Sequence, residues 1–267
     1  MQKGGSMSEE FIKLSHHDGG IAELRLANGP KRNPLSSEVL SHMGGLLDEV
    51  ATDQKVGALL ITHDGPAFSA GHDLKELRAN RDDSQFVADL FAQCSVVMKK
   101  IVRLPKPVIA LVDGIATAAG CQMVASCDLA FASRAAEFGT PGVKIGLFCS
   151  TPMVALSRKV GRNTAMEMLL TGRHLGAEEA AQKGLINGVV EAEKLQAHGL
   201  DIARLIASFS HNTLAIGKEA FYRQIEMDLD DAYDYASQVM AHNMGLDDAS
   251  EGISAFLEKR QPSWKNQ

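Results

Sequence analysis

The sequence predicts an α/β protein, a core of repeated strand-strand-helix units followed by an α-helical C-terminal region. Three observations predict it. Residues 58–62 and 108–112 are short apolar runs, the pattern of strands buried on both faces. Each run leads through a tight turn of small residues toward a helical stretch. After about residue 192 no strand pattern remains and amphipathic helices take over.

The elements follow in order. Residues 9–27 alternate polar and apolar side chains around the turn His17-Asp18-Gly19-Gly20, which predicts a β-hairpin. Asn28-Gly29-Pro30 stops the second strand, and Lys31-Arg32-Asn33-Pro34 is a loop. Ser36 fits an N-cap, and Leu40, Met43, Leu47 and Val50 form the apolar face of the helix it starts. The strand at 58–62 closes at His63-Asp64-Gly65-Pro66, and Phe68 to Leu74 is a tight loop. Phe86, Leu90, Val97 and Ile101 stripe a long helix that ends at Leu104-Pro105-Lys106-Pro107.

The strand at 108–112 turns at Asp113-Gly114. Thr117-Ala118-Ala119-Gly120 then opens a short helix through Ser126, and 129–133 is the next strand. A small helix spans 177–183, with Glu178 and Glu179 in its first turn, Lys183 in its last and Gly184 supplying a left-handed stop. Leu185-Ile186 and Val189-Val190 are expected to form a closing strand. Three or four helices follow, the last over about 248–259. The expected organisation is a leader at 1–7, a core at 8–192 and a helical oligomerisation region at 193–267.

Composition narrows the function classes. The formal charge of -6 argues against nonspecific nucleic-acid binding, which relies on basic patches. No apolar run reaches the roughly 18 residues of a membrane span. Cys94, Cys121, Cys127 and Cys149 form no CxxC, so no metal is expected and the thiols read as buried and reduced in a cytoplasmic protein. No dinucleotide fingerprint, phosphate loop or nucleophile elbow is present.

Two loops of small residues carry the chemistry. Phe68-Ser69-Ala70-Gly71 and Thr117-Ala118-Ala119-Gly120 each follow an apolar strand, and small residues let a ligand approach the backbone. The second loop opens a helix, whose free amides carry the positive end of the dipole. Two such amides aimed at one carbonyl oxygen make an oxyanion hole, and losing one donor raises a barrier by about 2.7 to 4 kcal/mol.

These loops carry a family resemblance. Phe68-Ser69-Ala70-Gly71-His72-Asp73-Leu74-Lys75-Glu76 resembles the first oxyanion loop of the crotonase superfamily, the enoyl-CoA hydratase/isomerase family. Lys106 to Ala110 with Gly114, then Ala118 to Cys121 and Cys127 to Ala130, resemble the second. Phe138-Gly139-Thr140-Pro141, Gly146, Met166-Glu167-Met168, Thr171-Gly172, Ala180-Ala181, Gly184-Leu185 and Phe256 to Arg260 fall in the same order, so the likeness covers roughly 10–262.

The resemblance implies a crotonase fold of ββα spiral turns with C-terminal helices that build homotrimers or hexamers. It implies an acyl-CoA ligand, a coenzyme A thioester, bound as substrate with no resident cofactor. The donors carried over are the backbone N–H groups of Ala70 and Ala119. His72, Asp73 and Leu74 lie beside the first of these, with His72 also a candidate acid or base. Lys31 and Arg32 match the cofactor loop, and Phe256 and Lys259 match positions near the adenine end. A mitochondrial matrix location is implied for a eukaryotic source.

The chain departs from the family at the acid–base pair. Hydratases of the family carry two glutamates, which here fall on Gln122 and Gly142. A neutral amide takes no proton at neutral pH and glycine offers no side chain. General acid–base catalysis contributes roughly 10² to 10⁴-fold, so ordinary hydration is not expected. The expected function is stabilisation of a thioester enolate, with a catalytically silent acyl-CoA binder, or a thioesterase or decarboxylase, as alternatives. The bulky stretch Leu147 to Pro152 is expected to reshape the acyl pocket.

Overall fold

The computed structural model describes residues 11–266. The leader expected at 1–7 and the first residues of the predicted hairpin therefore lie outside the described residues. Among the described residues, ten strands form two sheets. β1 (Ile12–His17), β2 (Ile21–Leu26), β3 (Ala58–His63), β5 (Val108–Val112), β7 (Leu129–Ser133) and β10 (Gly188–Val190) make the larger, in that order. It is parallel apart from the β1–β2 hairpin. β4 (Ala67–Ser69), β6 (Ile115–Thr117), β8 (Glu137–Gly139) and β9 (His174–Gly176) make the smaller, in which only the β8–β9 pair is antiparallel. The chain thus lays one strand into each sheet and then crosses by a helix, a ββα spiral.

The helices are α1 (Ser37–Thr52), α2 (Leu74–Ala79), α3 (Ser84–Arg103), α4 (Ala119–Ser126), α5 (Ser150–Lys159), α6 (Arg162–Thr171), α7 (Ala177–Gln182), α8 (Ala192–Ala207), α9 (His211–Gln224), α10 (Leu229–Met244) and α11 (Asp247–Glu258). Short 3₁₀ turns cover Gly29–Lys31 and Pro141–Ile145. Local chemistry sets the starts. Ser36 accepts a hydrogen bond from the Val39 amide to cap α1, and Asp83 accepts one from Phe86 to cap α3. Gly184 takes the left-handed conformation at φ +81° after α7.

The large sheet is buried on both faces. Leu59 and Ile61 of β3 point into the main core with Leu40, Met43, Leu47, Val97 and Ile101. Ala58 and Leu60 point the other way, against Leu195 and Ala203 of α8. Burial on both sides is why these strands read as unbroken apolar runs. α8 is therefore the outer layer of the core on that face. Leu185-Ile186 form a bend and only Gly188–Val190 pair with β7. β4, β6, β8 and β9 were not expected as strands, and α2, α5 and α6 were not expected as helices.

Candidate active site

The first loop is held by a neighbouring turn. Asn33, at φ 49° and 2% exposed, donates its Nδ2 to the carbonyls of Asp64 (2.9 Å) and Ala67 (2.8 Å). Its own carbonyl accepts from Ser69 Oγ at 2.8 Å, and Ser69 Oγ accepts from the Gly71 amide at 3.1 Å. The Ala70 amide donates to the Arg32 carbonyl at 2.9 Å. That bond corrects the expectation for Ala70, because an amide committed to a protein carbonyl is not free for a ligand oxygen.

The free amide is two residues further on, at His72. Leu35 pairs with His72 in a parallel bridge, and the Leu35 amide donates to the Gly71 carbonyl at 2.8 Å. In a parallel bridge one residue bonds to the two neighbours of its partner, so the partner's own N–H points to the opposite side. The His72 N–H is therefore turned away from residue 35, and among the described residues no backbone hydrogen bond uses it.

The second loop is set by Ala118, a non-glycine residue at φ 51°, ψ -117°. Its amide donates to Gly139 at 2.9 Å and its carbonyl accepts from Gln122 at 3.0 Å, which fixes the plane of the next peptide. Such backbone strain costs about 1–3 kcal/mol and clusters at working sites. Ala119 is the first residue of α4, whose leading amides have no partner within the helix. All eight residues of α4 are buried, so little solvent screens its positive end.

Gly71 brings the loops together. It has φ +84°, and a Cβ built on it would lie 3.2 Å from the Ala119 nitrogen and 2.9 Å from Ala118 Cβ. The missing side chain is what lets the first loop approach the Ala119 nitrogen.

The two acid positions are changed differently. Gln122 is 4% exposed, and its Oε1 is buried without a partner. An unsatisfied buried polar atom costs about 1–3 kcal/mol. At Gly142 a Cβ would strike the Leu147 carbonyl oxygen and lie 2.8 Å from Cys149 Sγ. The Leu147 amide donates to the Gly142 carbonyl at 2.9 Å, so a closed turn fills the space a side chain would need. Burial pushes the Cys121 thiol up to about 12 and raises Cys149 as well. Both are neutral near pH 7, which suits packing rather than nucleophilic attack.

The remaining expected residues divide. Burial lowers the His72 pKa, its Nδ1 lies 3.3 Å from the Leu35 carbonyl, and its ring meets Phe91 edge-on at 5.1 Å. Burial favours the neutral imidazole, which packs against Phe91 with its Nε2 buried and unpartnered. Asp73 caps α2 by accepting from the Lys75 amide at 2.8 Å and from Glu76 at 3.3 Å. Leu74, on the same turn, is exposed. Lys31 lies over the Phe11 ring at 5.6 Å, and both Lys31 and Arg32 are exposed beside Asn33. Phe256 is 83% exposed on α11, which rules out a core contact within this copy, and Lys259 ends that helix in the left-handed conformation. Neither is brought to the two loops by any contact in the structure's described hydrogen bonds or ion pairs.

Sequence reasoning missed the His72 amide, whose freedom depends on a bridge to a distant residue. It also missed Thr140, which is fully buried with an unpartnered Oγ1. Two surface cavities lie elsewhere, about 410 Å³ beside Asp128, Lys218 and Tyr222 and about 520 Å³ at the β1–β2 turn. Among the described residues no His, Cys, Asp and Glu cluster is placed to hold a metal, and no helix is long and apolar enough to cross a membrane.

The ββα spiral with two glycine-tightened loops defines a crotonase-type α/β protein. The family model described as enoyl-CoA hydratase/isomerase matches residues 16–267. The mouse mitochondrial enoyl-CoA hydratase domain-containing protein 3 is 45% identical over 262 residues, 98% of this chain and 87% of that protein. The crystal structure of the human protein of that name superposes with a TM-score of 0.91 at 46% identity, covering 95% of this chain and 100% of that one. An enoyl-CoA hydratase structure from Mycobacterium smegmatis gives 0.92 at 46% identity, covering 95% and 98%. The chain belongs to the enoyl-CoA hydratase/isomerase family, and it has the crotonase fold.

Proposed function

We propose that the chain binds an acyl-CoA thioester and stabilises negative charge on its carbonyl oxygen with the backbone amides of His72 and Ala119. The single observation that carries this is Gly71, whose missing Cβ leaves the Ala119 nitrogen open beside the freed His72 peptide. Two fixed dipoles in a site walled by buried residues favour an enolate over its ground-state thioester. Lys31 and Arg32 supply positive charge for the anionic coenzyme, and Leu74 an apolar contact beside the loop.

Ordinary hydration is absent from this reading. No carboxylate stands at residue 122 or 142, and the closed turn at Gly142 leaves no room for one. Reactions that need the amides without both carboxylates remain, namely thioester cleavage and loss of carbon dioxide from a carboxylated acyl group. The same reading covers a silent acyl-CoA binder. Purified protein should bind butyryl-CoA by calorimetry and leave crotonyl-CoA unhydrated, while mass spectrometry of acyl-CoA and malonyl-CoA incubations separates a binder from a thioesterase or decarboxylase. Absence of any coenzyme A thioester binding would sink the proposal.

Assembly belongs to the same proposal. Leu229, Tyr233, Met240 and Met244 lie on one face of α10 and are all exposed, as are Phe256 and Leu257 on α11. Further copies of the chain, as a trimer or a pair of trimers, would cover this surface. The mouse and human relatives are mitochondrial proteins by name, which suggests the matrix for a eukaryotic source, with the cytoplasm for a bacterial one.

A further inference from the structure

We propose that residues 260–266 form a strap, clasped by Asp248, that holds α11 against the corner between α8 and α9, and that opening the strap releases α11 and takes the chain out of its assembly, an inference that rests on the assembly reading. Only Asp248 and Ala255 of α11 are buried, so the helix has little apolar anchorage of its own. The segment after it supplies the rest. Asp248 is 2% exposed, and its carboxylate is met by three neutral donors: Ser210 Oγ at 2.6 Å, the Lys265 amide at 2.7 Å and the Asn266 amide at 3.1 Å.

The strap runs back along the helix it follows. Arg260 donates to both oxygens of Glu251 (2.6 and 2.9 Å) and to Glu258 (2.7 Å), and the Ser263 amide donates to Glu251 at 2.7 Å. Trp264 packs over Gly252, where a Cβ would lie 3.2 Å from the indole ring. The other side of the strap is tied to the corner. Trp264 Nε1 donates to the Ser208 carbonyl at 2.8 Å, and Asn266 Oδ1 accepts the His211 amide at 2.7 Å. Ser210, which caps α9 by accepting the Thr213 amide at 3.2 Å, is the same residue that donates to Asp248.

The clasp couples the strap to the helix. Burial works to raise the Asp248 pKa, but the hydrogen bonds from Ser210 and from the Lys265 and Asn266 amides hold it below the ordinary carboxylate value. Two of those three donors leave with the strap. An ionised carboxylate left with one donor must turn to water, and α11 carries it there. The remaining ties are ion pairs of Arg260 and Lys265 in contact with solvent, which hold weakly. Asp248, Glu251, Gly252 and Ala255 follow at helical spacing, so the strap and corner occupy one face of α11. Ile253, Phe256 and Leu257 lie on the rest of the helix and are exposed. Asp248 is thus a positioning residue for that apolar surface.

Trp264 is the chain's single tryptophan, so its fluorescence reports on the strap alone. In the full chain Asp248→Ala should shift Trp264 emission to the red and raise its quenching by acrylamide. Hydrogen exchange in α11 should speed up about tenfold or more while β3 and β5 keep their protection, and the mass seen by light scattering should fall. A chain stopped after Lys259 should match it in exchange and mass, and decides the matter if the substituted chain does not fold. Wild-type emission and quenching in Asp248→Ala would remove Asp248 as the clasp, and unchanged exchange of α11 in the shortened chain overturns the strap. An oligomeric wild type whose mass neither variant alters overturns the release from assembly alone. A monomeric wild type overturns the assembly reading itself, and the strap's part in it.

Discussion

Gly71 is the residue on which the proposed site depends. Gly71→Ala adds a methyl group at φ +84°, 2.9 Å from Ala118 Cβ, so either the loop or the start of α4 must move. Acyl-CoA binding should fall at least tenfold while stability drops by about 1–3 kcal/mol; a variant that binds as well as the wild type would show that the loops do not need this approach. A second prediction concerns protonation. His63 accepts the Asp113 amide at Nε2 (2.9 Å), and burial lowers the pKa of both His63 and His72 from 6.5. The unfolded chain takes up protons near pH 6.5 that these folded histidines resist. Their contribution is therefore present above 6.5 and is lost as the pH falls below it, by at most about 1.4 kcal/mol per pH unit for each. Urea midpoints at about pH 7.5 and 5.5 should differ in this direction, and less so in His63→Gln; identical midpoints for the two proteins at both pH values would remove His63 from the account.

At the level of elements, α9 hangs on one buried cluster. Lys218 Nζ donates to Asp128 Oδ2 (2.6 Å) and to the carbonyls of Ile101 (3.1 Å) and Lys106 (3.0 Å), while Tyr222 donates to Asp128 Oδ1 (2.9 Å). The Lys218 side chain is 7% exposed, so Lys218→Met leaves the Asp128 carboxylate with neutral donors alone and should cost about 3–5 kcal/mol. Hydrogen exchange should speed up in α9 before it does in α8; unchanged protection in α9 would mean the cluster does not hold it. These elements also show what was readable beforehand. β3 and β5 were legible because burial on both faces leaves runs of four and five consecutive apolar residues, and α1 and α3 because their stripes run for several turns. The strands of the small sheet have three residues each, too short for a period, and exist because their neighbours pair with them. At the site, the replacements at Gln122 and Gly142 were visible as letters. The engagement of Ala70 was not, since it depends on a carbonyl contributed by another turn.

For the whole molecule, the telling feature is how much apolar surface the C-terminal helices leave uncovered. Leu229, Tyr233, Met240 and Met244 are 71%, 70%, 69% and 60% exposed, yet successive positions fall within one narrow stripe of α10. Tyr233→Lys with Met240→Glu should lower the mass seen by light scattering from that of an oligomer to that of one chain, without unfolding the sheet core. A wild type that already runs as a monomer would remove the stripe from assembly. The same arithmetic applies to the acid positions. Gln122→Glu with Gly142→Glu should destabilise the turn at 141–146 and leave crotonyl-CoA unhydrated, whereas recovered hydration would mean that this turn opens easily.

Arg32 faces two ways at once. Its guanidinium reaches solvent, while its carbonyl holds the peptide just before Gly71. Under the acyl-CoA proposal, an anion bound at the outer end would sit beside the turn that anchors Ala70, and a coenzyme stripped of its phosphates should lose affinity.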